Sequence, residues 1–368
     1  MRLGTLPVLV TVCVLAAACA GPAGRDAPAP SLEGTLEAQL ASRAVQTMTP
    51  LPDGSLLVAG GCVEDGCGTA SDSAFAVSTG GVLSGPSLGQ ARDAHTATML
   101  TDGRVLVTGG FAGEGTPPLS TAEVFDPASR SWNPVGPMAT GRGGHAAARL
   151  GDGRVVVAGG WVGPRTYTAT TEIFDPGTGR FTPGPALPVA ADGLAAASLP
   201  DGCVLVVGGQ SSPGVSTDAA VTICAGLDAL PVGRLGTGRF KHGIATLPSG
   251  DIVVIGGTTD DRHLLASTEV YDGASRAFRP GPTLVSQRYK LGGSVATLPD
   301  GRIVVAGGGS GVEVLDLVAG SRLVPAAGNE RSSFSTVGLT GSRVVIVGGY
   351  DEIIRLTRQF VSLAVADL

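Results

Sequence analysis

The stretch RVLVTGG at residues 104–110 decides the fold of this 368-residue chain, because close variants of it return along nearly the whole sequence. Each variant is a short apolar run that ends in a glycine pair, and successive pairs lie 49, 50, 49, 48, 51 and 41 residues apart. The pairs are Gly60-Gly61, Gly109-Gly110, Gly159-Gly160, Gly208-Gly209, Gly256-Gly257, Gly307-Gly308 and Gly348-Gly349. This period, built from strand-like runs and tight turns, predicts a small β-sheet that repeats seven times.

The second repeat shows the parts of one unit most clearly. Residues 92–100 alternate in polarity and end in the turn Thr101-Asp102-Gly103, whose glycine supplies the positive φ of a tight hairpin. The apolar run is the next strand, a variable loop covers residues 111–119, and two further strands centre on residues 123–125 and 132–138. We name these predicted strands a, b, c and d in chain order. A sheet of this size cannot bury itself alone, so its sisters must surround a common axis.

Two aromatic residues also recur seven positions apart after the glycine pair. They are Phe125 and Trp132, Phe174 and Phe181, and Tyr271 and Phe278. The apolar run, the glycine pair and the two spaced aromatics resemble the kelch repeat over about residues 33 to 368, most clearly in repeats 2, 3 and 5. The resemblance implies a kelch-type β-propeller, a fold distantly similar to the central domain of galactose oxidase.

Galactose oxidase needs copper held by tyrosines and histidines, with one tyrosine crosslinked to a cysteine. This chain has four tyrosines, and none is adjacent to a histidine. The sequence also lacks the strings of a P-loop, an EF-hand or a G-x-S-x-G nucleophile elbow. The resemblance therefore does not imply an oxidase, and we predict no catalytic residue, no cofactor and no metal site.

The repeat count predicts an all-β fold of seven four-stranded antiparallel blades. Six regular blades with an irregular terminal element are the alternative, because several repeats are degenerate and the b–c link of repeat 6 is only Ser310-Gly311. Residues 34–40 stand where other repeats have strand d. We therefore expect them to complete the last blade beside residues 353–356, with closure by residues 360–365 as the alternative.

The beginning of the chain has the pattern of an export signal. An apolar stretch from Leu3 to Ala18 follows Arg2, and its end before Cys19 resembles a bacterial lipobox. The resemblance implies that residues 1–18 are a lipoprotein signal peptide and that Cys19 is lipidated; an ordinary secretory cleavage site is the alternative. We expect a Pro/Gly-rich tether at 19–32 and the propeller at 33–368. Ala20 follows the cysteine, which implies an outer-membrane anchor if the source is Gram-negative.

Four cysteines remain after Cys13 and Cys19 are set aside. Cys203 opens the b strand of its repeat and Cys224 ends the next strand, and antiparallel neighbours bring such positions together. Cys62 and Cys67 lie five residues apart in one loop. Two structural disulfides in an oxidising envelope fit these positions better than a zinc site, for which a second ligand pair is missing.

The charge of the chain argues against nucleic acid as a partner. Its 25 Lys and Arg are dispersed, and its formal net charge is −6 at pH 7. In an up-and-down blade the short a–b and c–d turns share one face, and the variable b–c loops share the other with the d–a links. We expect ligands to meet the variable face.

An arginine recurs near the start of strand a, where the mouth of the central channel is expected. The candidates are Arg43, Arg92, Arg142, Arg239, Arg288 and Arg331. Such a ring of guanidinium groups focuses anions. The alternative is that each arginine pairs with a Glu or Asp of a neighbouring blade, or with carbonyl groups, and holds the ring together.

His95, His145 and His242 follow three of these arginines by three residues, and Glu123, Glu172 and Glu269 recur before the aromatic of strand c. Because both sets are periodic, we interpret them as structural. Trp161 and Tyr167 in one b–c loop, with Phe111 in the adjacent loop, are candidates for stacking on a sugar or a peptide.

These observations predict a lipid-anchored envelope propeller that acts as a non-catalytic binding module. Its partner on the b–c face is an unidentified protein or an anionic ligand. A carbohydrate-binding or sugar-modifying propeller is the alternative, and a purely structural subunit of an envelope complex is a third hypothesis. Fold alone does not choose among them.

Overall fold

A computed structural model describes residues 32–324 and 332–368 of the chain. Its strands form seven antiparallel sheets, and each sheet is one blade. The first three blades contain β1–β4 (Thr47–Pro50, Leu56–Ala59, Ala74–Ser78, Gly81–Ser84), β5–β8 (Thr96–Met99, Val105–Thr108, Ala122–Asp126, Ser131–Pro134) and β9, β10, β13 and β14 (Ala146–Arg149, Val155–Ala158, Thr171–Asp175, Arg180–Pro183).

The other four blades follow in the same order. They contain β15, β16, β19 and β20 (Ala195–Ser198, Val204–Val207, Ala220–Ile223, Ala229–Pro231), β21–β24 (Gly243–Thr246, Ile252–Ile255, Thr268–Asp272, Ala277–Pro280), β25–β28 (Val295–Thr297, Ile303–Val305, Val312–Asp316, Gly320–Val324) and β29–β31 (Thr336–Thr340, Arg343–Val347, Phe360–Ala364). Two small hairpins, β11–β12 (Trp161–Gly163, Thr166–Tyr167) and β17–β18 (Gln210–Ser212, Val215–Ser216), extend the b–c loops of blades 3 and 4.

The blades close into a ring, because strand a of each blade contacts strand a of both neighbours. The contacts run from β1 through β5, β9, β15, β21, β25 and β29 and return to β1. The predicted fold class, a seven-bladed β-propeller, is confirmed. Among the described residues six blades have four strands, and blade 7 has three.

The expected closure by an N-terminal strand is wrong. Residues Leu32–Ala41 form the helix α1, and strand c of blade 7 is Phe360–Ala364, the segment of the alternative. Leu36 and Leu40 are four residues apart, a spacing that puts both on one face of a helix. Leu40 is fully buried in a cluster with residues of blades 1 and 7, and Leu36 packs against this cluster. The helix therefore joins the first and last blades by packing.

The core lies between blades. Every residue of the b strands except Arg343 is buried, and one cluster combines Leu106 and Val124 of blade 2 with Val155 and Phe174 of blade 3. The spaced aromatics are cross-strand partners on strands c and d, with ring centroids 5.0–5.1 Å apart. Hairpin register therefore explains their seven-residue spacing.

The glycine pairs mark the closest approach of neighbouring blades. In blade 2, Gly109 and Gly110 have φ values of +63° and +94°. A Cβ atom on Gly109 would collide with the carbonyl oxygen of Arg142 and lie 2.7 Å from Cε1 of His145, both in blade 3. The amide of Gly110 donates a hydrogen bond of 2.9 Å to the same carbonyl oxygen. Only glycine fits this conformation and this space.

Both predicted disulfides are present, Cys62–Cys67 and Cys203–Cys224. The second joins the start of strand b to the end of strand c in blade 4. Disulfides persist in oxidising compartments and therefore indicate an exported protein. Within residues 32–324 and 332–368, no helix is long and apolar enough to span a membrane. The predicted signal peptide, Cys19 and residues 19–31 of the tether lie outside the described residues.

Candidate functional site

The b–c loops stand on one face of the ring and are joined to one another. The amide of Glu114 in blade 2 donates to the carbonyl of Gly68 in blade 1, and the amide of Ser216 in blade 4 donates to that of Thr259 in blade 5. The amide of Gly66 donates across the ring closure to the carbonyl of Ile354 in blade 7. These loops therefore form a connected rim, which is missing only where blade 6 has its short b–c link.

The recurring arginines do not line the channel mouth as free guanidinium groups. Arg92, Arg142, Arg239 and Arg288 are fully buried, and Arg43 is 2% exposed. Four of them form ion pairs of 2.7–2.9 Å with the glutamate on strand c of their own blade: Arg92–Glu123, Arg142–Glu172, Arg239–Glu269 and Arg288–Glu313. This burial overturns their interpretation as anion-capturing residues. The four ion pairs agree with the structural alternative, except that each glutamate lies in the same blade as its arginine and not in a neighbouring blade.

Each arginine also ties its blade to the previous one. The guanidinium of Arg142 donates to the carbonyl of Gly159 in its own blade at 2.8 Å, while its main-chain carbonyl accepts from Gly110 of blade 2. Its partner Glu172 accepts from the amides of Ala139 and Thr140, in the link that precedes strand a. Every hydrogen-bonding group of this buried pair except Nε of Arg142 is therefore satisfied internally.

Arg43 and Arg331 differ from this pattern. Arg43 donates to the carbonyl of Gly60 and to Oγ of Ser73, and its guanidinium lies 4.6 Å from the ring centroid of Phe75. Burial lowers the pKa of Arg43 to about 10. The predicted site residue Arg331 lies outside the described residues.

The three periodic histidines pack beneath the mouth of the channel. His95, His145 and His242 line a cavity of about 340 Å³ on the axis, and each ring covers the first glycine of the preceding blade's pair, as His145 covers Gly109. Burial lowers the pKa of His145 and of His242 to about 3, and lowers that of His95 well below its ordinary value. Neutral, buried imidazoles fit the structural interpretation of these residues.

Cations at the mouth come from two lysines instead of the arginines. Nζ of Lys241 lies 2.6 Å from a carboxylate oxygen of Asp261. Nζ of Lys290 lies 5.1 Å and 5.5 Å from the ring centroids of Tyr289 and Phe334. The charge of Lys241 is therefore neutralised by a b–c loop residue of its own blade.

The three candidate aromatics come together on the b–c face. The rings of Phe111 and Trp161 meet edge to face with centroids 5.3 Å apart, and Tyr167 is the direct cross-strand partner of Trp161 in the β11–β12 hairpin. The ring of Phe111 fills the space that a side chain at Gly143 would need. Because Gly143 of blade 3 has no side chain, the ring of Phe111 in blade 2 packs against Trp161 of the β11–β12 hairpin.

Phe111 and Trp161, but not Tyr167, line a cavity of about 620 Å³, which we call the aromatic cavity. It lies between the b–c loops of blades 1, 2 and 3, and its lining residues are Gly66, Cys67, Asp93, Phe111, Gly113, Glu114, Gly115, Thr116, Pro117, Pro118, Trp161, Val162, Gly163 and Pro164. The volume is in the range of pockets that hold small organic ligands. A second cavity of about 380 Å³, lined by Tyr289, Lys290 and Tyr350 among others, lies on the other side of the Cys62–Cys67 loop.

The sequence pattern did not mark Asp93, which is the polar centre of the aromatic cavity. Its main chain forms two hydrogen bonds of 2.9 Å with Phe111, which hold it at the base of the b–c loop. Its side chain is 6% exposed, yet its carboxylate has no hydrogen-bond or ion-pair partner among the described residues. Burial without a partner raises the pKa of Asp93 to about 7.

Trp161 also keeps a free polar group at this cavity. The indole N–H of Trp132, the other tryptophan, donates to the carbonyl of Pro86 at 2.9 Å. In the described part of the chain, the indole N–H of Trp161 has no such partner. The cavity therefore offers two aromatic rings, one indole donor and one unpaired carboxylate.

One group of three possible metal ligands occurs in the described residues, formed by Cys62, Cys67 and Asp93 within 4.8 Å of one another. The two cysteines are joined in a disulfide and so offer no thiolate. Zinc binds thiolates, so this group does not fit a zinc site in the oxidised protein.

Comparisons with known proteins agree with the repeat analysis. The Kelch motif family matches residues 94–139 and 142–188, which contain most of blade 2 and blade 3. The solved structure titled "Structure of YjhT" is similar with a TM-score of 0.58 and 14% sequence identity, over 77% of this chain and 97% of that chain. At this identity the similarity shows the fold alone. No curated protein sequence matches the chain.

The class of protein follows from these findings together. Two blades match the Kelch motif, and the remaining blades repeat their strand order around the ring. The protein is a seven-bladed β-propeller whose second and third blades match the Kelch motif, and this fold supports a binding or interaction module.

Proposed function

We propose that this protein is an exported, lipid-anchored binding module that holds a carbohydrate in the aromatic cavity of its b–c face. The observation that carries the proposal is the convergence of Phe111, Trp161 and Asp93 from three separate segments on one cavity. Sugar rings present apolar C–H faces, which stack on aromatic rings, and hydroxyl groups, which donate to carboxylates. The rigid contact of Phe111 with Gly143 supports a preformed site.

The burial of the arginines removes the main argument for an anionic ligand. Four of the six arginines predicted to attract it are buried in ion pairs, Arg43 is buried against a carbonyl and a serine, and the aromatic cavity contains two carboxylates. The carbohydrate alternative is therefore favoured over the anionic ligand.

Binding of saccharides to the purified propeller tests the proposal. We expect wild-type protein to bind members of a glycan array, and Trp161→Ala to lose this binding by about tenfold or more, as expected for removal of a stacking ring and an indole donor. Trp132→Phe is the control, because Trp132 lies on outer strand β8 and its ring packs on Phe125. Absence of saccharide binding by folded wild-type protein would refute the proposal.

A protein partner on the same face is the second candidate, and a patch of exposed apolar residues favours it. Val63, Ile353 and Ile354 are 39%, 66% and 48% exposed, and they lie in b–c loops that are hydrogen bonded across the junction of blades 7 and 1. Such residues are common where proteins associate. Ile353→Asp would reduce crosslinking to a partner in intact cells without changing saccharide binding.

The lipid anchor rests on the lipobox-like segment that ends at Cys19. Mass spectrometry of protein expressed in a Gram-negative bacterium is the test. We expect a diacylated N-terminal cysteine and recovery in the membrane fraction, and both are lost in Cys19→Ser. An unmodified N-terminus created by cleavage elsewhere would refute the anchor.

A further inference from the structure

The aromatic cavity carries an unbalanced negative charge. Asp93 and Glu114 line it, and none of the described lining residues is Lys or Arg. The nearby exposed residues Glu64 and Asp65, on the Cys62–Cys67 loop, are also acidic. This imbalance is local, because the mouth of the channel beside it contains Lys241 and Lys290.

Asp93 differs from the buried glutamates of the c strands. Glu123, in the same blade, accepts hydrogen bonds from two main-chain amides and from Arg92. Asp93 is buried to a similar extent and receives none from the described residues. A buried carboxylate without a partner is costly, and folded proteins retain one mainly where a ligand supplies the missing charge.

We propose that the aromatic cavity binds an ammonium group of its ligand, with Asp93 as the counter-ion and the rings of Phe111 and Trp161 as neighbours of the cation. Aromatic rings attract organic cations through their quadrupole, and the attraction grows when water is excluded. A carboxylate beside them completes the site. The inference rests on the proposed role of this cavity in ligand binding, and it narrows the ligand to a saccharide with a free or methylated amino group.

Matched saccharides that differ only at nitrogen test this inference. Isothermal titration calorimetry would compare a glucosamine tetrasaccharide with its N-acetylated and N-trimethylated counterparts. We expect the cationic forms to bind at least about tenfold more tightly than the neutral form. Equal affinity for the neutral and trimethylated forms would overturn the inference and leave the carbohydrate proposal intact.

Two matched variants test whether Asp93 supplies the negative charge that binds the ammonium group. Asp93→Asn keeps the size of the side chain, and we expect it to reduce the affinity ratio of cationic to neutral forms from about tenfold to about twofold or less, whatever its effect on the affinity for the neutral form. Asp192→Asn is the control, because Asp192 occupies the equivalent position of blade 4 and does not line the cavity. Its main chain is hydrogen bonded to that of Gln210, as the main chain of Asp93 is to that of Phe111. A preference that persists in Asp93→Asn would overturn the inference.

The pH dependence of the affinity for the N-trimethylated saccharide gives a second test of the inference. The N-trimethyl group keeps its charge at every pH, so its affinity reports on the protein. Protonation of Asp93, whose pKa is about 7 in the free protein, removes the counter-ion, and we expect affinity to fall as the pH is lowered from 8 to 5.5. The pH profile of Asp93→Asn is the control, because it reports the effect of the other titratable groups around this position. These groups are Glu64, Asp65, His95, Glu114 and Tyr350. A wild-type profile as flat as that of the variant would contradict the inference.

Choline separates the failure of the inference from that of the carbohydrate proposal. If no saccharide binds but choline binds and requires Asp93, the ammonium site stands and the carbohydrate proposal falls. If neither choline nor any saccharide binds, both fall.

Discussion

Arg92 and Asp93 are adjacent in the chain, and both are buried, yet they have opposite roles. The guanidinium of Arg92 is paired with Glu123 and bonded to the carbonyl of Gly109. The carboxylate of Asp93 lines a cavity and has no partner within the described residues. Arg92 has counterparts in five other blades, whereas the position of Asp93 is an aspartate only in blades 2 and 4. The periodic residue holds the ring, and the residue beside it is free to serve a ligand.

This difference has an energetic basis. A buried ion pair that is fully hydrogen bonded resists the loss of either member, because the other charge would remain buried alone. A buried carboxylate that faces a cavity costs stability until a ligand or a proton neutralises it. Stability and binding should therefore respond to different substitutions, and the following four predictions test that separation.

The largest loss of stability is expected for Arg142→Ala. The substitution leaves Glu172 buried without its cation and removes the hydrogen bonds to Gly159 and Thr170. We expect the free energy of unfolding to fall by about 3–5 kcal/mol, measured by urea denaturation. Saccharide affinity at 10 °C should remain unchanged. Loss of affinity with unchanged stability would assign Arg142 to the binding site and break the comparison.

A somewhat smaller loss is expected for Gly109→Ala. The new Cβ atom meets Arg142 and His145 of the next blade at a positive φ, so we expect a cost of about 2–4 kcal/mol. Gly115 is the matched control, because its φ is +72° and no atom lies within 4 Å of a Cβ there. Gly115→Ala should lower the midpoint of urea denaturation less than Gly109→Ala. Equal costs would show that backbone conformation, and not the approach of blades, selects the glycine pairs.

The two tryptophans allow stability and binding to be compared with the same type of side chain. Trp132→Ala removes a cross-strand aromatic contact and the bond to Pro86, and we expect a loss of about 1–3 kcal/mol. Trp161→Ala removes a partly exposed ring, and we expect a loss of about 1 kcal/mol or less. Thermal melts followed by circular dichroism would measure both. A larger loss for Trp161→Ala would assign that residue to the core.

The last change is a gain of stability that depends on pH. Because the pKa of Asp93 is raised to about 7 in the folded protein, folding favours its protonated form, and stability from this group is lost as the pH rises towards 7. Asp93→Asn removes the penalty, so we expect it to be more stable than wild type by up to about 4 kcal/mol at pH 8 and equally stable at pH 4. A variant less stable than wild type at pH 8 would mean that Asp93 has a partner.

The sequence predicted most of the fold correctly because the decisive patterns are local. The a–b turns, the aromatic pairs such as Phe125 and Trp132, and the Cys203–Cys224 disulfide all join neighbouring strands of one hairpin. The N-terminal segment was predicted incorrectly, since Leu36 and Leu40 follow a helical spacing in a stretch too short to distinguish from a strand. The arginines were correctly recognised as a set, but their burial depends on strand c, about 30 residues away.

The candidate site was predicted in part. Phe111, Trp161 and Tyr167 were identified because few aromatics fall on the variable loops, and they do come together. Asp93 was missed, although one signal was available: it follows a periodic arginine, at a position that varies between repeats. A residue that breaks a repeat beside one that obeys it is a reasonable candidate for ligand contact.

By itself the sequence determined the number of blades, the strands within the first six blades and the cysteine pairs, because contacts within a blade join residues that are close along the chain. The tertiary structure alone decided which charges are hidden and which face the cavity. Asp93, the Cys62–Cys67 loop and Trp161 belong to three different blades, and they meet only because the closed ring fixes the angle between one blade and the next.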